Sequence, residues 1–522
     1  MTITFHILGR GQHPSNSQKK MVHLAPGNWD DYNFKTSFEV TFHDMDGKLV
    51  NLGTVKIGYA GQIDGWSSEK LPTTFSKLGD GWFSLAQDVS YYESLYRKVG
   101  AEDRATILSG LSDVVADDTI FRIAQSERVF HDSLMRSVSL SVIHGQFKRV
   151  ISGKPALTDF HFKYKDPGDD RHASIELDFE VKATSKPSSN IHVIIGRNGV
   201  GKTTLLNNMV NSIVRPASEL VRGRFSLGAI YFAPTELHKD YFSSVVSVSF
   251  SAFDPFIPPV DRPDRTHGAA YFYIGMKNAR DGEDNNENLP PKNDAELAQD
   301  FLQSFESCLS QPAKRQRWRA AIERLESDDN FADMDLLQLL ELENEAAIKK
   351  AKRLIIRMSS GHFIVLLTMT KLVDTVEEKT LVLLDEPESH LHPPLLSAFT
   401  RALADLLHNR NGVAIIATHS PVVLQEVPRS CVWKLTRLRT QGRSDRPERE
   451  TFGENVGILT REIFGLEVTK SGFHEILQRE VESGGDFESI FKDYGGQLGV
   501  EAQAILRTLI ASHQSDKRTT DQ

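Results

Sequence analysis

Apolar and polar residues alternate along two stretches near the start of the chain. In "FKTSFEVTF" (34–42), phenylalanine, threonine and valine occupy every second position, and a similar alternation returns over residues 49–59. A period of two is typical of a half-buried β-strand, because successive side chains point to opposite faces of a sheet. Asp46-Gly47, between the two stretches, is a favoured turn sequence. The pattern therefore predicts a β-hairpin.

Helical and strand-like patterns follow one another along the rest of the chain. Over residues 84–130 apolar residues recur at three- and four-residue spacing, as in "YYESLYRKV", which indicates helices. Alternation returns at 158–165 and 174–182, and helical spacing resumes over 295–373. The segment "KNARDGEDNNENLPPKNDAE" (277–296) is acidic and rich in Asn and Pro, a composition typical of loops.

Three short apolar runs predict strands that are buried on both faces. They are "IHVII", "LVLL" and "VAII", and they are followed by "GRNGVGKTT", "DEPESHLHP" and "ATHSP" respectively. Ligands of open α/β sheets bind beyond the carboxyl ends of the strands. The residues that follow the three runs are therefore the candidates for chemistry.

Composition and charge limit the classes of protein to which the chain can belong. The chain has 522 residues, 39% of them hydrophobic and 25% charged, as is ordinary for a globular protein with several domains. The formal net charge of −9 gives no overall basic footprint for nucleic acid. The two cysteines, Cys308 and Cys431, suit a reducing compartment. Without a long apolar stretch or a signal-peptide pattern, we expect a cytoplasmic protein that does not span a membrane.

The first of the three segments matches the phosphate-binding pattern G-x-x-x-x-G-K-[ST]. It follows a predicted strand and precedes the helical "TLLNNMVNSIV", which is the context that the pattern requires. Backbone N–H groups of such a loop turn towards phosphate oxygens, and the helix N-terminus adds positive potential. Lys202 is expected to reach the β- and γ-phosphates of ATP, and Thr203 to offer its hydroxyl to Mg²⁺. The predicted nucleotide-binding residues are Gly196, Arg197, Asn198, Gly199, Val200, Gly201, Lys202, Thr203 and Thr204.

The second and third segments supply carboxylates and a histidine. Asp385 ends the "LVLL" strand, where it is expected to hold Mg²⁺ through water. Glu386 points the other way and is suited to accept a proton from an attacking water. The alternative, that these acids cap the following helix, suits Glu388 better than Asp385 or Glu386. His419 follows after a helix and a return strand, so we predict its ring beside the γ-phosphate.

Taken in this order, the segments resemble an ABC-type ATPase, in which a Walker A loop, a signature loop, a Walker B Asp-Glu and a switch His follow one another. "MSSGH" stands in the place of the family's "LSGGQ" and ends in His362 where the family has Gln. The resemblance covers roughly residues 191–427. It implies that Ser359, Ser360 and Gly361, which also suit a helix N-cap, face the nucleotide of a second subunit. The segments look like the soluble branch of chromosome-maintenance, RecF-like and OLD-like ATPases.

Two features of the family lack a clear counterpart in the sequence. The Q-loop glutamine is expected within "AIYFAPTE", where Thr235 and Glu236 occupy about the right place. For the aromatic residue that stacks on adenine, Phe162 and Tyr164 are candidates, and a strand core explains them equally well.

The resemblance implies an α/β fold with three regions. Residues 1–150 are expected to form an N-terminal β-hairpin and helical extension, with integration into the ATPase β subdomain as an alternative. Residues 151–430 are expected to form the ABC-type ATPase head, with a P-loop sheet, an antiparallel β subdomain and a helical lobe at about 290–375. Residues 431–522 are expected to form a C-terminal α-rich region for assembly or partner binding.

Further segments, among them "NWDDYNFKTSFEVTF" and "LGDGWFSLAQDVSYYESLY", are similar to the ATPase subunit of Septu-type anti-phage systems, also found in some retron defence loci. This resemblance implies a homodimer or higher homo-oligomer formed through the ATPase heads. It also implies a separate HNH nuclease as the partner, controlled by the ATP state. The region after Pro428 has no obvious cluster of paired acids, so we expect no nuclease domain in this chain.

A DNA-binding ATPase of repair or segregation is the alternative function. Two basic stretches, "KRQRWRAAIERL" (314–325) and "KKAKRLIIR" (349–357), suit contacts with nucleic acid (DNA, RNA or a retron msDNA) or with an acidic partner. A solvated helix face is the simpler interpretation of each stretch. Trp318, within the first stretch, favours an interface.

Overall fold

The fold was analysed in a computed structural model of the chain. It describes residues 3–9, 11–12, 14, 18–138, 140–153, 157–169, 173–216, 221–228, 236–238, 241–251, 256–264, 268–279, 290–438, 441–468 and 472–520. Residues 280–289 of the predicted acidic loop lie outside the described residues, as does Thr235 of the predicted Q-loop.

The N-terminal region is built on β-strands. Its described strands are β1 (Thr4–Ile7), β2 (Met21–Pro26), β3 (Phe34–Lys35), β4 (Ser37–His43), β5 (Leu49–Tyr59), β6 (Gly65–Trp66), β7 (Thr74–Phe75) and β8 (Trp82–Ala86). Six of them form a mixed sheet in the order β7-β1-β2-β4-β5-β8. The predicted hairpin is confirmed, since β4 and β5 are antiparallel. The strand predicted over residues 34–42 is interrupted, because β3 pairs with β6 in a separate two-stranded sheet.

Helices cover one face of this sheet and complete the N-terminal region. They are α1 (Val89–Lys98), α2 (Ala101–Gly110), α3 (Asp118–Gln125), α4 (Leu140–Val142) and α5 (Lys148–Ile151), with π-helical turns at Phe130–Leu134 and Ile143–Phe147. Sheet and helices share one hydrophobic cluster. Among the described strands, those of this sheet pair with none of the ATPase strands. The N-terminal sheet is therefore not integrated into the ATPase β subdomain.

The ATPase head contains two sheets. A three-stranded antiparallel sheet consists of β10 (Ile175–Val181), β9 (Phe160–Asp166) and β12 (Arg224–Leu227), in that order. The second sheet has the order β14-β13-β15-β16-β11-β17-β18, and its strands are β11 (Ile191–Gly196), β13 (Ser244–Ser249), β14 (Ala270–Gly275), β15 (Thr380–Asp385), β16 (Val413–Thr418), β17 (Val432–Leu438) and β18 (Gln441–Asp445). Its neighbours are parallel except for β17 and β18. This arrangement confirms the predicted α/β head of the ABC type.

The P-loop strand β11 is buried on both faces, as its apolar sequence predicts. Ile191, Val193 and Ile195 pack in the cluster shared with the helical lobe. Ile194 packs on the other side, in a cluster formed with the antiparallel sheet and with α6 (Lys202–Val214). Alternate side chains of one strand thus join two layers, which fixes the position of the loop that follows it.

The helical lobe inserts between β14 and β15. It consists of α7 (Asp294–Ser310), α8 (Pro312–Leu325), α9 (Asp329–Ala332), α10 (Asn344–Ile355) and α11 (Ser360–Thr375), with a 3₁₀ turn at Leu336–Glu341. Trp318 is fully buried in this lobe, and its Nε1–H donates to Thr370 Oγ1 at 2.9 Å. The expectation that Trp318 marks an interface is therefore wrong, because the ring is part of the core.

The remaining helices follow the Walker B strand and close the chain. They are α12 (Pro393–Arg410), α13 (Pro421–Leu424), α14 (Val456–Val468), α15 (Phe473–Glu482), α16 (Phe487–Asp493) and α17 (Val500–Thr520). The region expected to be α-rich from residue 431 differs at its start, since β17 and β18 extend the ATPase sheet. None of the helices in the described part of the chain combines the length and apolar composition needed to cross a bilayer.

A buried ion cluster joins the N-terminal region to the head. Asp88, the N-cap of α1, accepts hydrogen bonds from Arg317 Nη1 at 2.6 Å and from Arg410 Nη1 at 2.9 Å. Arg317 belongs to α8 and Arg410 ends α12, so three separate elements meet at one carboxylate. Burial alone would raise the pKa of Asp88, but the two guanidinium groups and the Ser90 N–H outweigh it, and the net pKa lies well below the usual range.

Asp88→Asn is expected to lower the free energy of unfolding by about 3–5 kcal/mol, because two buried guanidinium groups lose their counter-ion. Asn keeps the N-cap of α1, so the loss reports the charge. The folded-state pKa of Asp88 is depressed, so its stabilisation exists above about pH 4 and is lost as the pH falls further. Urea unfolding at pH 7 and pH 3 measures both effects.

Asp405→Asn is the matched control for this measurement. It breaks the exposed Arg324–Asp405 pair, whose side chains are more than half exposed, and exposed pairs contribute little to stability. Equal losses in the two variants would contradict the structural role of the Asp88 cluster.

Candidate functional site

A cavity of about 350 Å³ lies over the loop between β11 and α6. Gly199 and Gly201 have φ angles of +80° and +102°, which residues with a side chain rarely adopt, and a Cβ at either would meet nothing within 4 Å. The backbone N–H groups of this loop therefore border open space that suits phosphate oxygens. The loop residues that line the cavity are those predicted from the sequence: Asn198, Gly199, Val200, Gly201, Lys202, Thr203 and Thr204.

Lys202 lines this cavity and carries a positively charged side chain. Its side chain is 3% exposed, and its Nζ donates to the carbonyl oxygens of Gly196 at 3.0 Å and Arg197 at 3.2 Å. Gly196 itself sits tightly against β17, since a Cβ there would lie 2.5 Å from the Leu435 carbonyl oxygen. The predicted residues Gly196 and Arg197 therefore contribute their backbone carbonyl groups, which hold the ammonium group of Lys202 in the P-loop.

Thr203 and Asp385 lie together, as predicted for a Mg²⁺ site. Both line a second, smaller cavity of about 60 Å³ beside the P-loop. A hydroxyl and a carboxylate are hard oxygen ligands, and Mg²⁺ takes its remaining ligands from phosphates and water. The described residues hold no group of three or more His, Cys, Asp or Glu side chains that suits a metal ion. The Thr203 hydroxyl and the Asp385 carboxylate fit a cation that takes its other ligands from a nucleotide and from water.

Glu386 adopts a strained backbone conformation. Its φ of +44° and ψ of 60° lie in the left-handed region, which costs a residue with a side chain about 1–3 kcal/mol. Its backbone N–H donates to the Ala417 carbonyl oxygen at 2.8 Å, which holds the residue against β16. Glu386 lines the larger cavity whereas Asp385 lines the smaller one, so the two neighbouring acids point to different sides.

The structure brings the two predicted catalytic residues, Glu386 and His419, close to the predicted nucleotide-binding residue Lys202. Glu386 Oε1 lies 3.7 Å from Lys202 Nζ and 3.6 Å from His419 Nδ1. The side chains of Glu386 and His419 are both partly exposed, at 30% and 42%, so water can reach them. A carboxylate between a cation and an imidazole, at the edge of a phosphate-binding loop, can accept a proton from an attacking water.

Glu388 organises the loop that carries the histidine. Its Oε1 accepts hydrogen bonds from Thr418 Oγ1 at 2.5 Å, from the His419 N–H at 2.7 Å and from the Ser420 N–H at 3.1 Å. The same oxygen lies 3.0 Å from His419 Nδ1. The interpretation of Glu388 as a helix cap is therefore wrong.

The signature-like residues begin α11, away from the chain's own P-loop. Ser359 is the N-cap, and its Oγ accepts from the His362 N–H at 3.5 Å. Ser359 and Ser360 are exposed, and neither they nor Gly361 line the described cavity over the P-loop. A Cβ on Gly361 would lie 2.5 Å from the His390 carbonyl oxygen. The start of α11 therefore packs directly on the turn that follows Glu386.

The far wall of the nucleotide-sized cavity was not predicted. It is formed by Leu435, Thr436, Arg437, Gly442 and Arg443 of the β17–β18 hairpin, together with Asp166, Ala173, Ile175 and Arg222. No motif in the sequence predicts this hairpin, because it lies beyond the stretch that carries the family motifs.

The aromatic and Q-loop candidates lie elsewhere. Phe162 and Tyr164 are fully buried in the cluster between the two sheets and do not line the cavity over the P-loop. Neither ring is available to stack on adenine, so the strand-core interpretation is the right one. Glu236 pairs with Arg224 at 2.7 Å and lines a different cavity.

The two basic stretches differ in their surroundings. Basic residues of the first are held by partners within the chain: Lys314 by Asp374, Arg317 by Asp88, Arg319 by Glu341 and Arg324 by Asp405. The second stretch forms α10 and the turn after it, where Lys349, Lys352, Arg353 and Arg357 are exposed. The exposed cations of the second stretch are therefore better candidates for contact with a partner than those of the first, which already face acidic side chains of this chain.

Part of the head matches a known protein family, and solved structures align with it at low identity. Residues 270–425, which include the signature-like segment, Asp385, Glu386 and His419, match the family described as "AAA domain, putative AbiEii toxin, Type IV TA system". An ATP-binding cassette of an ABC transporter in its ADP conformation aligns at 14% identity over 60% of this chain and 99% of its own, with a TM-score of 0.30. UvrA2 from Deinococcus radiodurans aligns at 13% identity over 58% of this chain and 40% of its own, with a TM-score of 0.28. The strand order, with the P-loop after β11 and the Asp-Glu pair after β15, gives this head an α/β architecture with its candidate site at one edge of the parallel sheet.

One curated relative matches over the whole length. It is protein ea59 of Escherichia phage lambda, which is 44% identical over 533 residues and aligns over 99% of both chains. Identity at this level and over this length shows common descent and a common fold. The chain therefore belongs to the same family as phage lambda protein ea59.

Proposed function

We propose that the chain is a cytoplasmic ATPase that pairs head-to-head around ATP and regulates a separate HNH nuclease in bacterial anti-phage defence. The convergence of Lys202, Glu386 and His419 at the P-loop cavity is the observation that carries the ATPase part. The defence part draws on the similarity to Septu-type ATPase subunits. The family name with a toxin and a toxin–antitoxin system, and the relative in a phage, support a role in conflict between phages and their hosts.

In this proposal each step of ATP hydrolysis is assigned to residues of this chain. The P-loop N–H groups and Lys202 hold the phosphates and stabilise the charge that develops on them. Glu386 accepts the proton of the attacking water. His419, at the end of the neighbouring strand β16, lies 3.6 Å from that carboxylate, and Glu388 holds the histidine through its backbone N–H. Thr203 and Asp385 would hold Mg²⁺, which would supply further positive charge at the phosphates when bound.

Pairing of two heads supplies the part of the site that one chain lacks. Ser359, Ser360 and Gly361 open a 16-residue helix, so their N–H groups carry positive potential towards solvent. They do not line the cavity over the P-loop of their own chain. In a head-to-head pair they meet the γ-phosphate bound on the second subunit, and each chain contributes half of two sites.

The C-terminal helices are the proposed surface for assembly or for the nuclease. α15, α16 and α17 form a small cluster of their own around Leu477, Val481, Ile490 and Leu506. Phe473 and Ile476 on α15 are 45% and 52% exposed. Large apolar side chains exposed on a small helical unit are common at protein–protein contacts.

Glu386→Gln is expected to lower kcat for ATP hydrolysis by about 100- to 10,000-fold while nucleotide binding persists, because only the base is lost. The variant should accumulate as an ATP-bound dimer, seen by phosphate release and by light scattering after gel filtration. Lys202→Ala should instead weaken nucleotide binding itself. Glu323→Gln, on the exposed face of α8, is the matched control. Hydrolysis by Glu386→Gln at the parental rate would show that another group is the base.

Co-purification with the product of the adjacent gene tests the partner. We expect a nuclease that binds this chain and whose activity on DNA or RNA changes between ATP, ADP and nucleotide-free conditions. Co-expression of the two should be toxic or protect against phage, and Lys202→Ala should alter that phenotype. A neighbour without nuclease activity, and no phenotype on co-expression, would refute the defence role and leave the ATPase.

A DNA-binding ATPase is the second candidate, and the exposed helix α10 favours it. Lys352 and Arg353 lie three and four residues after Lys349, so the three share one face of α10, and Arg357 follows four residues after Arg353 in the turn beyond the helix; together they form one stripe. The stripe ends two residues before Ser359. Phosphates bound along it would lie close to the site where the second head pairs.

Duplex DNA should then bind more tightly in the presence of ATP, with an affinity that falls steeply with salt. Replacement of Lys352 and Arg353 by Gln should reduce the slope of log affinity against log salt by roughly one per lost phosphate contact. Arg324→Gln, from the stretch whose charges are held within the chain, is the control. No binding at low salt would eliminate this candidate.

A further inference from the structure

The carboxyl end of β13 brings a serine beside Asp385. β13 and β15 are parallel neighbours, and Ser249 lies opposite Asp385 in their register. Residues paired in this way point their side chains to the same face of a sheet. Val245 and Leu383, which precede the two residues at even spacing, pack in the cluster that contains α6. Ser249 and Asp385 therefore continue the face of the sheet on which the P-loop helix lies.

The two side chains meet in the smaller cavity beside the P-loop. Both line it, together with Thr203 from the start of α6. Ser249 Oγ is buried and has no hydrogen-bond partner among the described residues. The cavity has a volume of about 60 Å³, which holds a few water molecules. A buried hydroxyl without a partner is unfavourable, so its partner is a group that enters this cavity.

Tyr273 holds the backbone of Ser249 in place. The tyrosine hydroxyl donates to the Ser249 carbonyl oxygen at 3.0 Å and accepts from the Lys277 N–H at 3.3 Å. Gly275, opposite Ser249 on β14, makes room for this contact, since a Cβ there would overlap that oxygen. The position of Ser249 at the end of β13 is therefore determined by the backbone, independently of its hydroxyl.

A second serine on the same face of β13 differs in its surroundings. Ser247 lies two residues earlier and lines the same cavity. Its Oγ lies 2.6 Å from the Tyr271 hydroxyl, so it has a partner within the chain. In the register of the sheet it lies opposite Leu383 rather than opposite an acid. Of the two serines, Ser249 is the one that combines an unpaired hydroxyl with a neighbouring carboxylate.

The chemistry of the cavity limits what this hydroxyl can bind. Thr203 and Asp385 fit Mg²⁺, an ion that usually keeps several water molecules when it binds a nucleotide. A serine oxygen has two lone pairs, which can accept the hydrogens of such a water. A phosphate oxygen is a poorer partner, because it would lie beside the Asp385 carboxylate and like charges repel.

We propose that Ser249 is a positioning residue for the metal, whose hydroxyl accepts a hydrogen bond from a water molecule of the Mg²⁺ that arrives with ATP. The inference rests on the proposed ATPase function. Because Ser249 acts through the metal, it contributes to the affinity for Mg²⁺ and not to the affinity for metal-free ATP. Loss of such an outer partner typically lowers metal affinity by about 10- to 100-fold.

The test measures metal affinity instead of turnover. The dissociation constant of a fluorescent, non-hydrolysable ATP analogue is measured on the full chain in excess EDTA and in saturating Mg²⁺, at a concentration where gel filtration shows the monomer. By linkage, the ratio of the two constants gives the gain in Mg²⁺ affinity when the nucleotide is bound. Ser249→Ala should leave the constant in EDTA unchanged and reduce the ratio by about 10-fold.

Ser247→Ala is the matched control and should keep the parental ratio, because its hydroxyl is bonded to Tyr271. Thermal unfolding without nucleotide separates the metal role from a structural one. Ser249→Ala removes an unpaired buried hydroxyl and should not lower Tm. Ser247→Ala should lower Tm, because the Tyr271 hydroxyl loses its partner.

Three results would overturn the inference. If Ser249→Ala keeps the parental ratio while Asp385→Asn lowers it, the metal site stands and Ser249 is not part of it. If Ser249→Ala weakens binding equally in EDTA and in Mg²⁺, its hydroxyl supports the shape of the site and not the metal. If Mg²⁺ gives the parent no gain, or if Lys202→Ala binds the analogue as well as the parent, the proposed ATP site fails and the inference falls with it.

Discussion

The register of three parallel strands is the constraint on which the site depends. β15 lies beside β16, with Asp385 opposite Ala417, and β16 lies beside β11, with Thr418 opposite Ile195. Parallel strands end at the same edge of a sheet, so the P-loop, the Asp-Glu pair and the histidine emerge together. A slip of one residue would turn every side chain of a strand to the other face, and the buried apolar residues of both layers resist it. Packing of the sheet thereby aligns groups that are far apart in sequence.

The two halves of the proposed composite site share a rigid frame within one chain. The turn Pro387–His390 leaves the strained Glu386, and its last carbonyl group touches the start of α11 at Gly361. A larger residue than glycine would separate the two elements, since its Cβ would lie 2.5 Å from that oxygen. The position of the base and the position of the signature-like residues are therefore not independent. In the proposed pair, a phosphate bound on the second subunit would contact the start of α11. That helix packs on the turn that follows Glu386.

The sequence predicts this site well where the chemistry is local. The glycines of the P-loop, Lys202 and the Asp-Glu pair are recognisable because a strand and a helix flank them directly. Glu388 and the β17–β18 hairpin were missed because their roles arise from contacts with strands distant in sequence. Trp318 was misjudged for a related reason: a basic stretch predicts an exposed face, but an aromatic ring on the opposite face of the same helix is core. Residues of one basic stretch on a helix can therefore differ in their exposure to solvent.

Buried ion pairs join the N-terminal region to the head. Asp88 holds Arg317 of the helical lobe and Arg410 at the end of α12, while Arg149 holds the fully buried Glu378 just before β15 at 2.6 Å. A buried charge separated from its partner is costly, so a movement of the lobe against the sheet must either carry the N-terminal region with it or break these pairs. Movement of the N-terminal region together with the lobe costs less free energy than breaking these buried ion pairs. Any shift of the lobe against the ATPase sheet would therefore also load the ion pairs that hold the six-stranded N-terminal sheet.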